Sequence, residues 1–364
     1  SMHIWLADKN EVPTEVTIPY FDTAHWKSFI QAKEMGKGFF ANLLTFEEKN
    51  KFYRELFTHI ENVSEKTIEF YMNCPGLAIS TVLLDNVGLY IENFEGTPYR
   101  EGENNILMRF GKVFQQTYTR FLDLKKAEAQ TREAQIEAAL EKVRSRTMAM
   151  RNSSELAEAS NLLDEQVKSL GIQTWGCAFH VYADNVEGDY EWFSSKNGRL
   201  PFYKTPREDF FLDFYEKGQR GEKFHVEEFV GAKCQAHYDY LKTIPLAGDS
   251  LKAMEESGIT LPTYQIDHVA FFKHGYILFI TYKPVPEAHD IFKRFAKVFE
   301  QAYTRFLDLQ KAEAQTREAQ IEAALEKVRS RTMAMQKGEE VKDVVVLLYK
   351  ELIALGVTNF ASCG

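Results

Sequence analysis

The sequence predicts an α+β chain of antiparallel-sheet modules in tandem, joined by long helices of coiled-coil character. Three observations carry that prediction. The stretch from Arg109 to Met150 recurs from Arg294 to Met335 with changes only at Gly111/Ala296, Gln115/Glu300, Thr117/Ala302 and Lys125/Gln310. Outside these copies, Trp5, Lys9, Asn10, Pro19 and Gly88 align with Trp192, Lys196, Asn197, Pro206 and Gly275 at one common offset. Between the copies lie aromatic and β-branched runs punctuated by glycine, the pattern of short strands. Repetition at a long period marks an array of modules. A length of 364 residues, 45% hydrophobic and 27% charged, is enough for two ordinary domains with connecting helices.

The alignment divides the chain into a module at 1–108 lacking a leading helix and first strand, a linker helix at 109–150, a complete module at 151–286, a second linker helix at 287–335 and the start of a third module at 336–364. The complete module shows the order of elements. Leu156, Ala159, Leu163, Val167 and Leu170 step at helical spacing, with Asn152 and Glu155 as a capping pair and Gly171 as the stop. A strand over Thr174–Tyr182, a turn at 184–189 and a second strand at 190–194 follow. Residues 208–257 read as a helical middle broken by Gly218, Gly221, Gly231 and Gly248. Tyr264–Phe272 and Tyr276–Tyr282 form a closing hairpin around Lys273-His274-Gly275, where glycine suits a tight turn. Pro284 and Pro286 end the sheet, and a long helix starts near Glu287. Neither Gly nor Pro occurs between Lys112 and Gly171, so the first linker and the leading helix are expected to form one rod.

Each linker carries one apolar stripe. Leu122, Ala129, Ile136, Val143 and Met150 recur at heptad spacing, as do Leu307, Ala314, Ile321, Val328 and Met335. Leu140 and its repeat mate Leu325 complete an apolar layer only towards the carboxyl-terminal halves. These residues form the expected seam of a parallel homodimer, weakly paired over its amino-terminal half, and Ile136→Asp with Ile321→Asp is expected to give monomers. A weak helix pair is easily biased between two arrangements, which suits a relay.

The order of elements resembles the GAF fold, a small antiparallel sheet covered by helices whose first and last helices continue into neighbouring domains. The PAS fold shares the closing hairpin and exit helix, and the leading amphipathic helix favours GAF. YTRFLDLKKAEAQTREAQIEAALEKVRSRTMAM at 118–150, with PTYQIDHVAFF at 262–272, resembles the linkers and modules of sensory portions of bacterial sensor histidine kinases. The resemblance implies a sensory or relay region of a cytoplasmic bacterial two-component signalling protein, not itself an enzyme, since the chain has no phosphoacceptor helix or ATP-binding motif. It also implies a small-molecule pocket between sheet and covering helices, with Trp175, Trp192, His225, His237, Tyr238, Tyr264 and His268 as lining residues and the ligand unidentified. The competing reading is a structural spacer and dimerisation array whose pockets are filled by their own side chains.

Composition excludes other classes. A net charge of -9, from 44 basic and 53 acidic residues, argues against nucleic acid or an anionic membrane as partner. No run of residues is long and apolar enough to span a bilayer. The four cysteines, Cys74, Cys177, Cys234 and Cys363, fall at no disulfide or zinc spacing, which suits a reducing compartment. Of the histidines of the second module, His180, His225, His237, His268 and His274, only His237 has close ligand spacing, to Cys234, so no metal or other cofactor is expected. No Ser/His/Asp order or phosphate-cradling loop is present. Val341, Val344, Val345, Leu348 and Leu352, then Gly356 and a strand at 357–361, repeat the start of a module. The frame reads as a piece of a longer array, in which the 341–361 segment of another copy completes the first module.

Overall fold

The computed structural model describes residues 2–7, 14–60, 63–85, 87–152, 155–183, 188–195, 198–199, 202–357 and 359–362. The repeat pairs Lys9/Lys196 and Asn10/Asn197, most of the expected turn at 184–189, and Cys363 lie outside them. The chain divides into two compact units, Ser1–Gln130 and Thr131–Gly364.

In the first unit β1 (Met2–Leu6) and β2 (Thr14–Ile18) form an antiparallel pair. Then follow α1 (Ala24–Glu34), β3 (Phe39–Leu44), α2 (Phe46–Phe57), α3 (Glu65–Asn73), β4 (Leu77–Leu83) and β5 (Gly88–Asn93). Thr45 and Glu48 make a reciprocal capping box that starts α2. Strands β3, β4 and β5 form a separate three-stranded antiparallel sheet. Ile18, Phe21, Trp26, Phe52, Tyr53 and Leu77 form the core of this unit. A long helix, α4 (Glu101–Met148), begins here and supplies its later turns to the second unit.

The second unit continues with α5 (Leu156–Ser169), β6 (Thr174–Val181), β7 (Asp189–Ser195), β8 (Gly198–Arg199), β9 (Tyr203–Thr205), α6 (Asp209–Gln219) and β10 (Phe224–Val230). It ends with α7 (Ala232–Leu241), α8 (Ala247–Glu256), β11 (Tyr264–Phe272), β12 (Gly275–Thr281), α9 (His289–Met333) and α10 (Val341–Ala354). The strands make one antiparallel sheet in the order β10-β11-β12-β6-β7-β8, with β9 also on β7. Both faces are covered, and each face has its own apolar cluster. On one face Phe279 stacks on Phe292 and Phe179 on Phe299, with ring centroids 4.1 and 4.0 Å apart, so the first turns of α9 are fixed to β12 and β6. Burying each of these rings contributes about 2–3 kcal/mol.

Three expectations are corrected. The first linker and the leading helix do not form one rod. The helix ends at Met148 and the chain folds back, with Arg146 paired to Glu155 at 3.0 Å and to Glu158 at 2.5 Å. Leu156, Ala159, Leu163 and Val167 are wholly buried by this fold-back, which a straight rod would leave in water. Second, Ile136, Leu140, Val143 and Met150 do not face a mate. They are buried in the chain's own helical layer with α5 and α9. Third, the middle of the module is not all helical, since β10 is an edge strand on β11. Gly171 follows α5 at a φ of +79°, as expected. The expected Asn152 and Glu155 capping pair is replaced: Glu155 is itself the N-cap, makes no side-chain cap bond, and its carboxylate accepts the backbone N–H groups of Arg151 and Asn152 at 2.9 and 3.3 Å. Residues 357 and 359–362 form no strand.

Candidate ligand cavity

Strand alternation decides what faces the covering helices α6, α7 and α8. On β11, Ile266, His268, Ala270 and Phe272 point to α9, while Gln265, Asp267, Val269 and Phe271 point to the other face. On β7, Glu191 and Phe193 share that second face, with Trp192 opposite. The register of β6 on β12 shifts near Thr174–Gly176, so Trp175 and Ala178 both join the second face although Cys177 lies opposite.

Between this face and the helices lies a small cavity of about 40 Å³. Phe210, Phe214, Leu251 and Met254 form much of the apolar wall, and the polar groups come from Glu191, His237, Gln265 and Asp267. Tyr238 Oη donates to Gln265 Oε1 at 2.5 Å, and Gln265 Nε2 donates to Asp267 Oδ1 at 2.8 Å. That amide is the hydrogen-bond donor to Asp267, and burial pushes the carboxyl group up to about 8. His237 Nε2 lies 3.5 Å from Gln265 Nε2, while its Nδ1 is buried with no partner among the described residues. Burial lowers this imidazole to about 4, and the nearby Lys233 ammonium acts in the same direction. Burial therefore favours the uncharged form of both groups.

One end of the cavity is braced by ions. Glu191 accepts from the Tyr203 hydroxyl and lies 3.1 Å from His180 Nδ1. His180 Nε2 is 3.5 Å from Asp189, which Arg207 Nη2 contacts at 2.6 Å. Burial alone would lower His180, but hydrogen bonds and charge from Asp189 and Glu191 outweigh it and raise its pKa. Burial would raise Asp189, and its bonds from His180 and Arg207 reverse this and hold it at about 2. The network fixes β6, β7 and β9 to one another.

Of the residues expected at a pocket, Trp175, His237 and Tyr238 line this cavity together. The other four do not. Trp192 and His268 lie on the opposite face of the sheet, the latter with Nε2 at 2.9 Å from Thr281 Oγ1. His225 is paired with Glu227 at 3.1 Å on the edge strand, and Tyr264 begins β11 outside the lining. Gln265, Asp267 and Glu191 were not anticipated. The signal for Gln265 and Asp267 is their spacing by one at the start of the QIDHVAFF strand, which places both on the same strand face; no such pattern marks Glu191.

The expected seam is divided. Ile136, Leu140, Val143 and Met150 are buried within the second unit, Leu122, Leu307, Ile321, Val328 and Met335 are half-buried, and Ala129, Ala314 and Leu325 are exposed. No group of three or more metal-ligating side chains occurs among the described residues, and no described helix is long and apolar enough to cross a membrane. No protein-family model matches the chain, and no curated protein matches it.

Proposed function

We propose that the chain is a sensory and relay region of a bacterial signalling protein, in which the cavity of the second unit takes a small molecule and the long helices carry the response. The observation that supports this reading is the position of β11 and β12. One face of these strands supplies Gln265, Asp267 and Tyr276 to the cavity, and the other carries Phe292 of α9 against His268 and Phe279. Occupancy that shifts the strands therefore acts on the root of a 45-residue helix. Burial that favours the uncharged forms of His237 and Asp267, beneath aromatic and aliphatic walls, suits an uncharged, largely apolar ligand with one polar end for these two groups. Pairing of the linker helices between two chains remains part of the proposal at the exposed or half-buried seam positions, Leu122, Ala129, Leu307 and Ala314.

Native mass spectrometry of the purified chain and a thermal-shift screen of uncharged metabolites test the reading. A ligand present at about a hundred times its Kd stabilises by about 2.7 kcal/mol, a rise of roughly 5–10 °C for a unit of this size. Ala247 lines the cavity, and Ala247→Leu is expected to abolish that rise while the chain remains folded. Retained mass or stabilisation that survives Ala247→Leu would place the ligand elsewhere. Failure to find any ligand would leave the structural-spacer reading.

A further inference from the structure

The repeat allows a residue-by-residue comparison of the two units, and the first has apolar surface bare where the second has it covered. Trp5 is 59% exposed and its repeat mate Trp192 is 5% exposed. On α4, Ile106, Phe110, Val113 and Phe114 are exposed, while their mates on α9, Ile291, Phe295, Val298 and Phe299, are buried. The covering elements in the second unit are the α4–α5 hairpin and β6, which share one apolar cluster with those mates. Strand β6 also joins β12 to β7 in the sheet. In the first unit the matching strands are β5 and β1. Among the described residues β5 pairs with β4 and β1 with β2, and nothing joins them.

The same chain holds a copy of the covering element. The α9–α10 hairpin repeats the α4–α5 hairpin down to its ion pair, Arg331–Asp343 at 2.6 Å standing where Arg146–Glu158 stands at 2.5 Å. Leu156, Leu163 and Val167 are wholly buried, whereas α10, which carries their mates Val341, Leu348 and Leu352, has no buried residue. Charge matches as well. Arg294 bridges from α9 to Glu133 and Glu137 of α4, each at 2.6 Å, and the repeat mates are Arg109 on the bare surface and Glu318 and Glu322 beside the free hairpin.

We propose that the α9–α10 hairpin of a second copy of this chain docks on the first unit. It seats the Val341, Leu348 and Leu352 face over Trp5 and the bare stripe of α4, with Arg109 paired to Glu318 and Glu322 of the docked chain. Residues 359–362, after α10, align with the start of β6, so in the docked pair they take the place between β5 and β1 that β6 holds between β12 and β7. Donor and acceptor are different surfaces, so the contact is heterologous, and chains join head to tail into a reciprocal pair, a closed ring or a growing array. The proposal is independent of any ligand in the cavity.

Two variants of the full chain test it by sedimentation. Phe110→Asp disables the acceptor, and because Phe110 is 66% exposed the fold of the first unit is retained. Leu348→Asp disables the donor. The wild-type chain is expected to associate at micromolar concentration, each variant alone to sediment as a 42.1 kDa monomer, and an equimolar mixture to form a dimer of twice that mass through its one intact site. Formation of that mixed dimer also shows that both variants fold. In an otherwise associating chain, Arg109→Glu should weaken assembly and Glu318→Arg with Glu322→Arg should restore it. A monomeric wild type, a variant that self-associates as the wild type does, or a mixture that stays monomeric overturns the proposal. Association unchanged in both variants would instead assign it to the linker seam.

Discussion

Gly275→Ala is expected to destabilise the second unit by about 4 kcal/mol or more, while Gly88→Ala, at the matching position of the first unit, changes stability by less than about 1 kcal/mol. A Cβ on Gly275 would lie 1.9 Å from the carbonyl oxygen of His180 and 2.9 Å from its carbon. Both are backbone atoms of β6 at the centre of the sheet, so relief requires separation of β12 from β6 and loss of their ladder. The requirement for glycine thus comes from close approach of a neighbouring strand, beyond the tight turn read from the sequence. At Gly88 the nearest atoms to an added Cβ lie at 3.8 Å, an ordinary contact, and alanine removes some of the entropy cost of glycine in a strand. Calorimetry distinguishes the two, since about 4 kcal/mol corresponds to a fall of roughly 10 °C for a unit of this size. Equal melts for the two variants would show that β6 does not lie against β12 as described.

What the sequence made legible follows from the kind of signal each element leaves. The α+β class, the helix stopped by Gly171 and the closing hairpin rest on local chemistry, and the fold realises them. The fold-back after Met148 left no Gly or Pro, because the turn is held by partners rather than by special backbone: Arg146 to Glu155 and Glu158, and Leu156 into the core. A stripe such as Ile136, Leu140, Val143 and Met150 states that a helix face must be covered and is silent about whether another chain or its own module covers it. Strand β10 was hidden by the polar residues His225, Glu227 and Glu228, which an edge strand tolerates and a central strand does not. In the cavity, Trp175, His237 and Tyr238 were legible as aromatic residues in the right part of the pattern. Trp192 and His268 were assigned to the wrong face because their strand parity becomes meaningful only once the cavity face is known.

Asp267→Asn is expected to make the second unit more stable at pH 8 than the wild type by on the order of 5 kcal/mol, with little difference near pH 4. The sign follows from the direction of the shift. Burial holds the Asp267 carboxyl at about 8 in the folded chain, well above its ordinary value of 3.8, so between these values the folded state binds a proton that the unfolded state has released. Its contribution to stability is fully present below about pH 4 and is lost as pH rises through 8. Asparagine has the same shape and keeps the acceptor for Gln265 Nε2, but carries no proton to lose. The neutral histidines act oppositely. His237 and His268, each lowered to about 4 by burial, contribute stability above pH 6.5 that is lost as pH falls through 4. The wild type therefore mixes opposing slopes, and the variant should lose the falling contribution that Asp267 supplies. Urea denaturation of both chains at intervals from pH 4 to pH 8 measures the difference. A gap that does not change with pH would mean that Asp267 is ionised in the fold and has a cationic partner, which would also overturn the choice of an uncharged ligand for this cavity.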